Sequence, residues 1–169
     1  REEVLVRRYE ILFQEVGMSC DAKKISEKYE DFLGEGHYFI PGAKELLEDL
    51  SKKYHLYLAS NGAVKVQMSR IKSAGIEKYL EKIFLSEQIG YEKPSPQFFE
   101  KCFAQIPDFK KEEALILGDS LTSDIRGGKN AGILTVWFHP SGKKVEEEIV
   151  PDYEIGKLEE LKTILSFYS

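Results

Sequence analysis

Between positions 1 and 34 the apolar residues recur at helical spacing. Leu5, Tyr9, Leu12, Phe13 and Val16 share one face of a helix, and Ala22, Ile25, Tyr29, Phe32 and Leu33 share one face of a second. Gly17 and Gly34 are placed to end the two helices. Two such stripes cannot enclose a large core. They read as part of a helical bundle whose other members precede them in the chain.

From Ile40 the texture changes to alternating helix and strand. Pro41 suits a first helical turn, with Leu46, Leu47 and Leu50 on the buried face. Short apolar runs at 56–59, 83–85, 114–117 and 133–138, and a smaller one at 153–155, predict strands. The helices between them are marked by Val64, Met68 and Ile71 before Gly75, by Phe98, Phe99 and Phe103, by residues 123–131 before Gly132, and by Leu158, Leu161 and Leu165. The uninterrupted apolar run at 114–117 is what a buried parallel strand requires. The order predicts an α/β fold with a doubly wound parallel sheet, in which ligands bind beyond the carboxyl ends of the strands.

Composition narrows the function classes. The 169 residues are 42% apolar, enough for one domain, or a domain with a small appendage. Lys and Arg number 24 against 29 Asp and Glu, a formal charge of -5, so nothing in the charge favours nucleic acid or a membrane surface. Lysine pairs such as Lys143–Lys144 read as solvated surface. Cys20 and Cys102 lack zinc-site spacing, and Cys102 among its phenylalanines reads as a small apolar residue. A chain of this size without a disulfide framework suits a reducing compartment. No signal peptide opens it and no apolar run reaches membrane length, so the expected location is cytoplasmic. A start at Arg1 suggests a fragment or a processed product.

Three clusters sit where the fold places a site. Ser60-Asn61-Gly62 follows the first strand, and a hydroxyl with backbone N–H groups there suits phosphate oxygens; Ser60 or Asn61 equally suits a helix N-cap. Lys93-Pro94-Ser95-Pro96 puts a lysine on a loop stiffened by prolines, a fixed point charge for a phosphoryl group or a surface lysine before a turn. Gly118-Asp119-Ser120-Leu121-Thr122-Ser123-Asp124 sets two carboxylates at the end of the most apolar strand. Such a pair favours a cation, and magnesium takes one or two carboxylates and keeps its waters. The alternative leaves Asp119 in a turn and Asp124 favoured by a helix dipole. Gly127-Gly128-Lys129 is not a P-loop, because Ser123 stands where the first glycine belongs and Asn130 where a Ser or Thr belongs. His37, His55 and His139 have no relay spacing, and Trp137 reads as core.

As a set, Ser60, then Lys93, then the acidic pair resemble motifs two to four of the haloacid dehalogenase superfamily. The strings Ser60-Asn61-Gly62, Gly90-Tyr91-Glu92-Lys93-Pro94-Ser95-Pro96 and Leu117-Gly118-Asp119-Ser120 are similar to the helical-cap branch, and within it to the pyrimidine and noncanonical nucleoside-monophosphate phosphatases. The resemblance implies the rear half of a helical cap at 1–36 and, at 37–169, a core lacking its first, central strand. It also implies magnesium held by Asp119 together with the family's nucleophile aspartate, with Asp124 as second ligand or placing bound water. Ser60 would donate to a phosphate oxygen, Lys93 offset charge on the transferring group, and Asn61 and Gly62 line the phosphate loop. The implied substrate is a small phosphorylated metabolite, hydrolysed through an aspartyl-phosphate. The family's first motif, an Asp-x-Asp-x-Thr string carrying the nucleophile, does not occur in these residues and is expected upstream; the chain alone is therefore expected to be inactive.

Two other classes stay in view. A phosphoacceptor domain of the receiver kind uses the same groups, but its acidic pair comes first and its lysine last. A non-catalytic interaction module gains weight from the missing nucleophile. Without a central strand, the runs at 56–59 and 114–117 are expected either to close on each other or to take a strand from another chain, since orphaned backbone groups cost on the order of 1–3 kcal/mol each.

Overall fold

Helices α1 (Glu2–Glu15) and α2 (Ala22–Glu35) occupy the two predicted stripes in the computed structural model, which describes residues 2–142 and 148–168. Lys143 and Lys144 lie outside the described residues. Gly17 takes the left-handed conformation (φ 67°) that ends α1, and Asp21 caps α2 by accepting from the Lys24 N–H at 3.0 Å. Gly34 departs from expectation: it lies inside α2, which runs on to Glu35. A Cβ there would come within 3.3 Å of the Ser69 side chain, whose hydroxyl donates to the Gly34 carbonyl at 2.8 Å. This glycine permits close helix packing rather than a stop. Ser69 belongs to α4 (Val64–Ala74). Most of α4 joins α1 and α2 in one unit, Arg1–Tyr38 with Lys65–Gly75; the other unit is Phe39–Val64 with Ile76–Ser169.

The second unit is the α/β part. Its helices are α3 (Ala43–Leu50), α5 (Ser86–Ile89), α6 (Pro96–Phe103), α7 (Arg126–Ala131) and α8 (Leu161–Leu165). Pro41 stands in the turn before α3, which begins after Gly42 (φ 79°). Strands β1 (Tyr57–Ser60) and β2 (Lys82–Leu85) pair in parallel, with Ser60 opposite Leu85. Strands β3 (Leu115–Gly118), β4 (Leu134–Phe138) and β5 (Tyr153–Ile155) form a second parallel sheet, with Gly118 opposite Trp137.

Alternate residues of β3 face opposite ways, as a pleated strand requires. Leu115 and Leu117 pack with Leu46, Val136, Phe138, Ile155, Leu161 and Ile164 under α3 and α8. Ile116 packs with Phe84, Phe98, Phe99, Cys102, Ala131 and Ile133 under α6 and α7. Helices thus cover both faces, the doubly wound arrangement. Cys102 is a core residue as expected, and burial pushes its thiol up to about 12 against the opposing charge of Lys93. Gly127 and Gly128 are packing glycines: a Cβ on either would come within 2.5 Å of Phe99 or Ile116 respectively. No helix among the described residues is long and apolar enough to cross a membrane.

Of the two outcomes expected for the absent central strand, the first does not occur. Strands β1 and β3 have not closed on each other; they belong to different sheets. β3 is half-buried along its length rather than buried, because only β4 flanks it. The two strands are instead tied beyond their carboxyl ends by a side chain, Lys93, which acts as a spacer between them.

Candidate active site

Beyond β3 the chain makes one wide turn before α7. The N–H groups of Asp124 and Ile125 both donate to the Ser120 carbonyl, at 2.8 and 3.1 Å, and the Ser120 hydroxyl accepts from the Ser123 N–H at 3.2 Å. This π-turn over Leu121–Ile125 replaces the start of the helix predicted at 123–131. It folds Asp124 back over the end of β3, where a Cβ on Gly118 would lie 2.4 Å from the Asp124 carboxylate. Position 118 must therefore be glycine for Asp124 to sit there.

Asp124 is 7% exposed. Its Oδ2 accepts from the Ser120 N–H at 3.1 Å and its Oδ1 from Lys93 Nζ at 2.6 Å. A carboxylate this buried requires such a partner. Lys93 Nζ also donates to the Ala59 carbonyl at 2.6 Å, so one ammonium joins the ends of β1 and β3. A lysine has three donors; the third meets no acceptor among the described residues.

Asn61 holds the Lys93 backbone from both sides. Its Oδ1 accepts from the Lys93 N–H at 2.9 Å, and its Nδ2 donates to the Lys93 carbonyl at 2.9 Å and to the Ser123 hydroxyl at 3.4 Å. The Lys93–Pro94 peptide is cis. Ser60 accepts the Gly62 N–H at 3.0 Å, which leaves its own hydroxyl proton to donate. The structure thus joins Asn61, Lys93, Ser123 and Asp124 in one hydrogen-bonded set, with the Ser60–Gly62 bond beside it in the same loop. The Asn61 amide and the Gly62 N–H are engaged in these bonds, holding the loop.

Asp119 differs. It is exposed, and its carboxylate has no hydrogen bond or ion pair among the described residues. Its main-chain carbonyl accepts from Trp137 Nε1 at 3.0 Å. Trp137 is buried, as read from the sequence, but nothing in the sequence signalled this second role; the register that sets it opposite Gly118 exists only in the sheet. Among the described residues no three His, Cys, Asp or Glu side chains converge as a metal cage. The open carboxylate of Asp119, on the segment that follows Gly118, nonetheless fits magnesium, which is bound through one or two carboxylates with waters retained.

These features accord with comparisons to known proteins. The profile of the haloacid dehalogenase-like hydrolases matches residues 3–138. The chain is 42% identical over 166 residues to the protein YfnB of Bacillus subtilis (strain 168), covering 98% of this chain and 71% of YfnB. It is 36% identical over 162 residues to the pyrimidine 5'-nucleotidase PynA of Streptococcus pneumoniae (strain ATCC BAA-255 / R6), covering 95% and 68%. The crystal structure of YfnB in its orthorhombic form, bound to magnesium, superposes with a TM-score of 0.91 over 98% of this chain and 72% of that one. The motifs, the doubly wound fold and these matches agree: the chain belongs to the haloacid dehalogenase-like hydrolase family.

Proposed function

We propose that this chain is the greater part of a cytoplasmic, magnesium-dependent phosphomonoester hydrolase. The observation that carries the reading is Lys93, fixed at nine-tenths burial between the Ala59 carbonyl and Asp124 with one donor left over, Asp124 lying five residues on from Asp119 in the chain that follows β3. A buried ammonium with a spare donor is suited to a phosphoryl oxygen, and it is strongest where water is excluded. Ser60 donates its hydroxyl proton to a second phosphoryl oxygen. Asn61 and Gly62 hold the loop that presents both, and Asp124 keeps Lys93 in place.

Asp119 would hold magnesium, with Asp124 as second ligand or placing a bound water. When bound, the ion neutralises charge between nucleophile and phosphate. The attack itself, through an aspartyl-phosphate, belongs to the family's Asp-x-Asp string, which these residues do not contain. Residues 1–36 serve as the rear of a helical cap and 37–169 as the core. Nucleoside monophosphates lead as substrates, on the likeness to the nucleotidase PynA and on the strings around Ser60 and Lys93, with sugar phosphates second.

The test is a screen of small phosphomonoesters, with and without magnesium, using a protein that carries the nucleophile string. Magnesium-dependent release of phosphate from nucleoside monophosphates is expected, and none from the 169-residue chain. Activity confined to haloacids or phosphoproteins would sink the proposal.

A further inference from the structure

Trp137 lies under both carboxylate-bearing segments. Its place opposite Gly118 brings the indole N–H to the Asp119 carbonyl at 3.0 Å. Its ring shares a buried cluster with Leu121 and Ile125, the first and last residues of the turn that carries Asp124. The ring is itself held. It stacks on the His139 imidazole with centroids 4.0 Å apart and planes 15° from parallel. His139 is in turn fixed through Nδ1 by Glu154 at 2.9 Å and through Nε2 by Ser141 at 2.6 Å. Asp119, by contrast, has no side-chain partner among the described residues. Its direction is set through its backbone alone, and the indole is the side chain that grips that backbone.

We infer that Trp137 is a positioning residue for Asp119, tuning magnesium affinity through the main chain, and that its indole reports occupancy of that site. The inference rests on the magnesium reading above. Magnesium demands near-ideal octahedral geometry, so freedom in a ligand's backbone weakens binding directly. Groups that orient a ligand from behind typically contribute roughly 10- to 100-fold in metal affinity. The chain has a single tryptophan, so emission and the indole N–H resonance each come from one known place.

The experiment titrates magnesium chloride into the purified chain, following tryptophan emission and the ¹⁵N-indole signal, with calorimetry in parallel. We expect a saturable change in both indole signals at the calorimetric midpoint, abolished in Asp119→Asn. Trp137→Phe keeps an aromatic ring, a smaller one, but loses the donor. Its calorimetric Kd should rise about tenfold or more, with the melting curve still cooperative. Magnesium binding that is lost in Asp119→Asn yet leaves the parent's indole silent, or that is as tight in Trp137→Phe as in the parent, overturns this inference and leaves the metal reading standing. No calorimetric binding in the parent overturns this inference, while the metal reading is decided separately by the magnesium dependence of phosphate release in the protein that carries the nucleophile string. If Trp137→Phe fails to fold, the parent titration decides alone.

Discussion

Two lysine–aspartate pairs of the α/β unit have nearly the same length and very different settings. Lys93 and Asp124 meet at 2.6 Å with side chains 9% and 10% exposed. Lys129 and Asp152 meet at 2.5 Å with side chains 39% and 33% exposed. In the second pair the aspartate is a latch: Oδ2 accepts both the N–H and the hydroxyl of the fully buried Thr135, at 2.9 and 2.7 Å, and the Asp152 N–H returns to that hydroxyl at 3.0 Å. The Thr135 bonds tie β4, and the Lys129 bond ties α7, to the segment before β5. In the first pair the lysine spans the ends of two sheets and keeps a donor in reserve. Geometry alone does not separate a working ion pair from a structural one; burial, and what remains unpaired, do.

The largest effect that would break this contrast is at Asp119. In a protein carrying the nucleophile string, Asp119→Ala should reduce magnesium-dependent turnover to background, and near-normal turnover would remove Asp119 from the site. Next is Asp124→Ala, which strands the buried Lys93 ammonium. Unfolding in urea should show a loss of about 3–5 kcal/mol, the usual cost of breaking a buried pair. A loss under about 1 kcal/mol would place the pair with exposed ones. Lys93→Met should lower kcat at least ~100-fold, the scale of one preorganised electrostatic contact. A change confined to KM would reduce Lys93 to a binding role.

The smallest effect belongs to the latch. Asp152→Ala leaves the Thr135 donors unsatisfied and should cost about 1–3 kcal/mol in thermal melts, with kcat unchanged. Burial pushes the Asp152 carboxyl up, but hydrogen bonds from Lys129 and Thr135 outweigh that and hold it below its ordinary value. A depressed folded value means stability that is present above the unfolded value of about 3.9 and is lost as pH falls through the folded one. The melting temperature of the parent should therefore drop more steeply below about pH 4 than that of Asp152→Asn; parallel curves would show that the latch holds no charge of consequence.

Much of this was legible in the chain. Helical and strand periods placed the elements to within a few residues, because a buried face imposes its own spacing whatever the neighbours. The turn after β3 was misread as helix from 123, since Ser120 and Asp124 satisfy a helical pattern as well as a π-turn. Gly34 was misread as a stop, because a glycine needed for close packing against Ser69 looks the same in sequence as one that ends a helix.

Sequence by itself determined the family: Ser60, Lys93, Asp119 and Asp124 fall at the spacing of its motifs, and spacing is a property of the chain. Tertiary structure decided their partners. Lys93 meets Asp124 and Asn61, Trp137 meets Asp119, and Asp152 meets Thr135 only after strands far apart in sequence come into register. Of the two outcomes the cost of orphaned backbone groups allows, closure of β1 on β3 is excluded by the sheets themselves, which hold the two strands apart, with Lys93 bonded to the Ala59 carbonyl near the end of β1. Local periodicity encodes which face is buried, but which polar groups meet depends on contacts between distant segments, and no single stretch of sequence contains them.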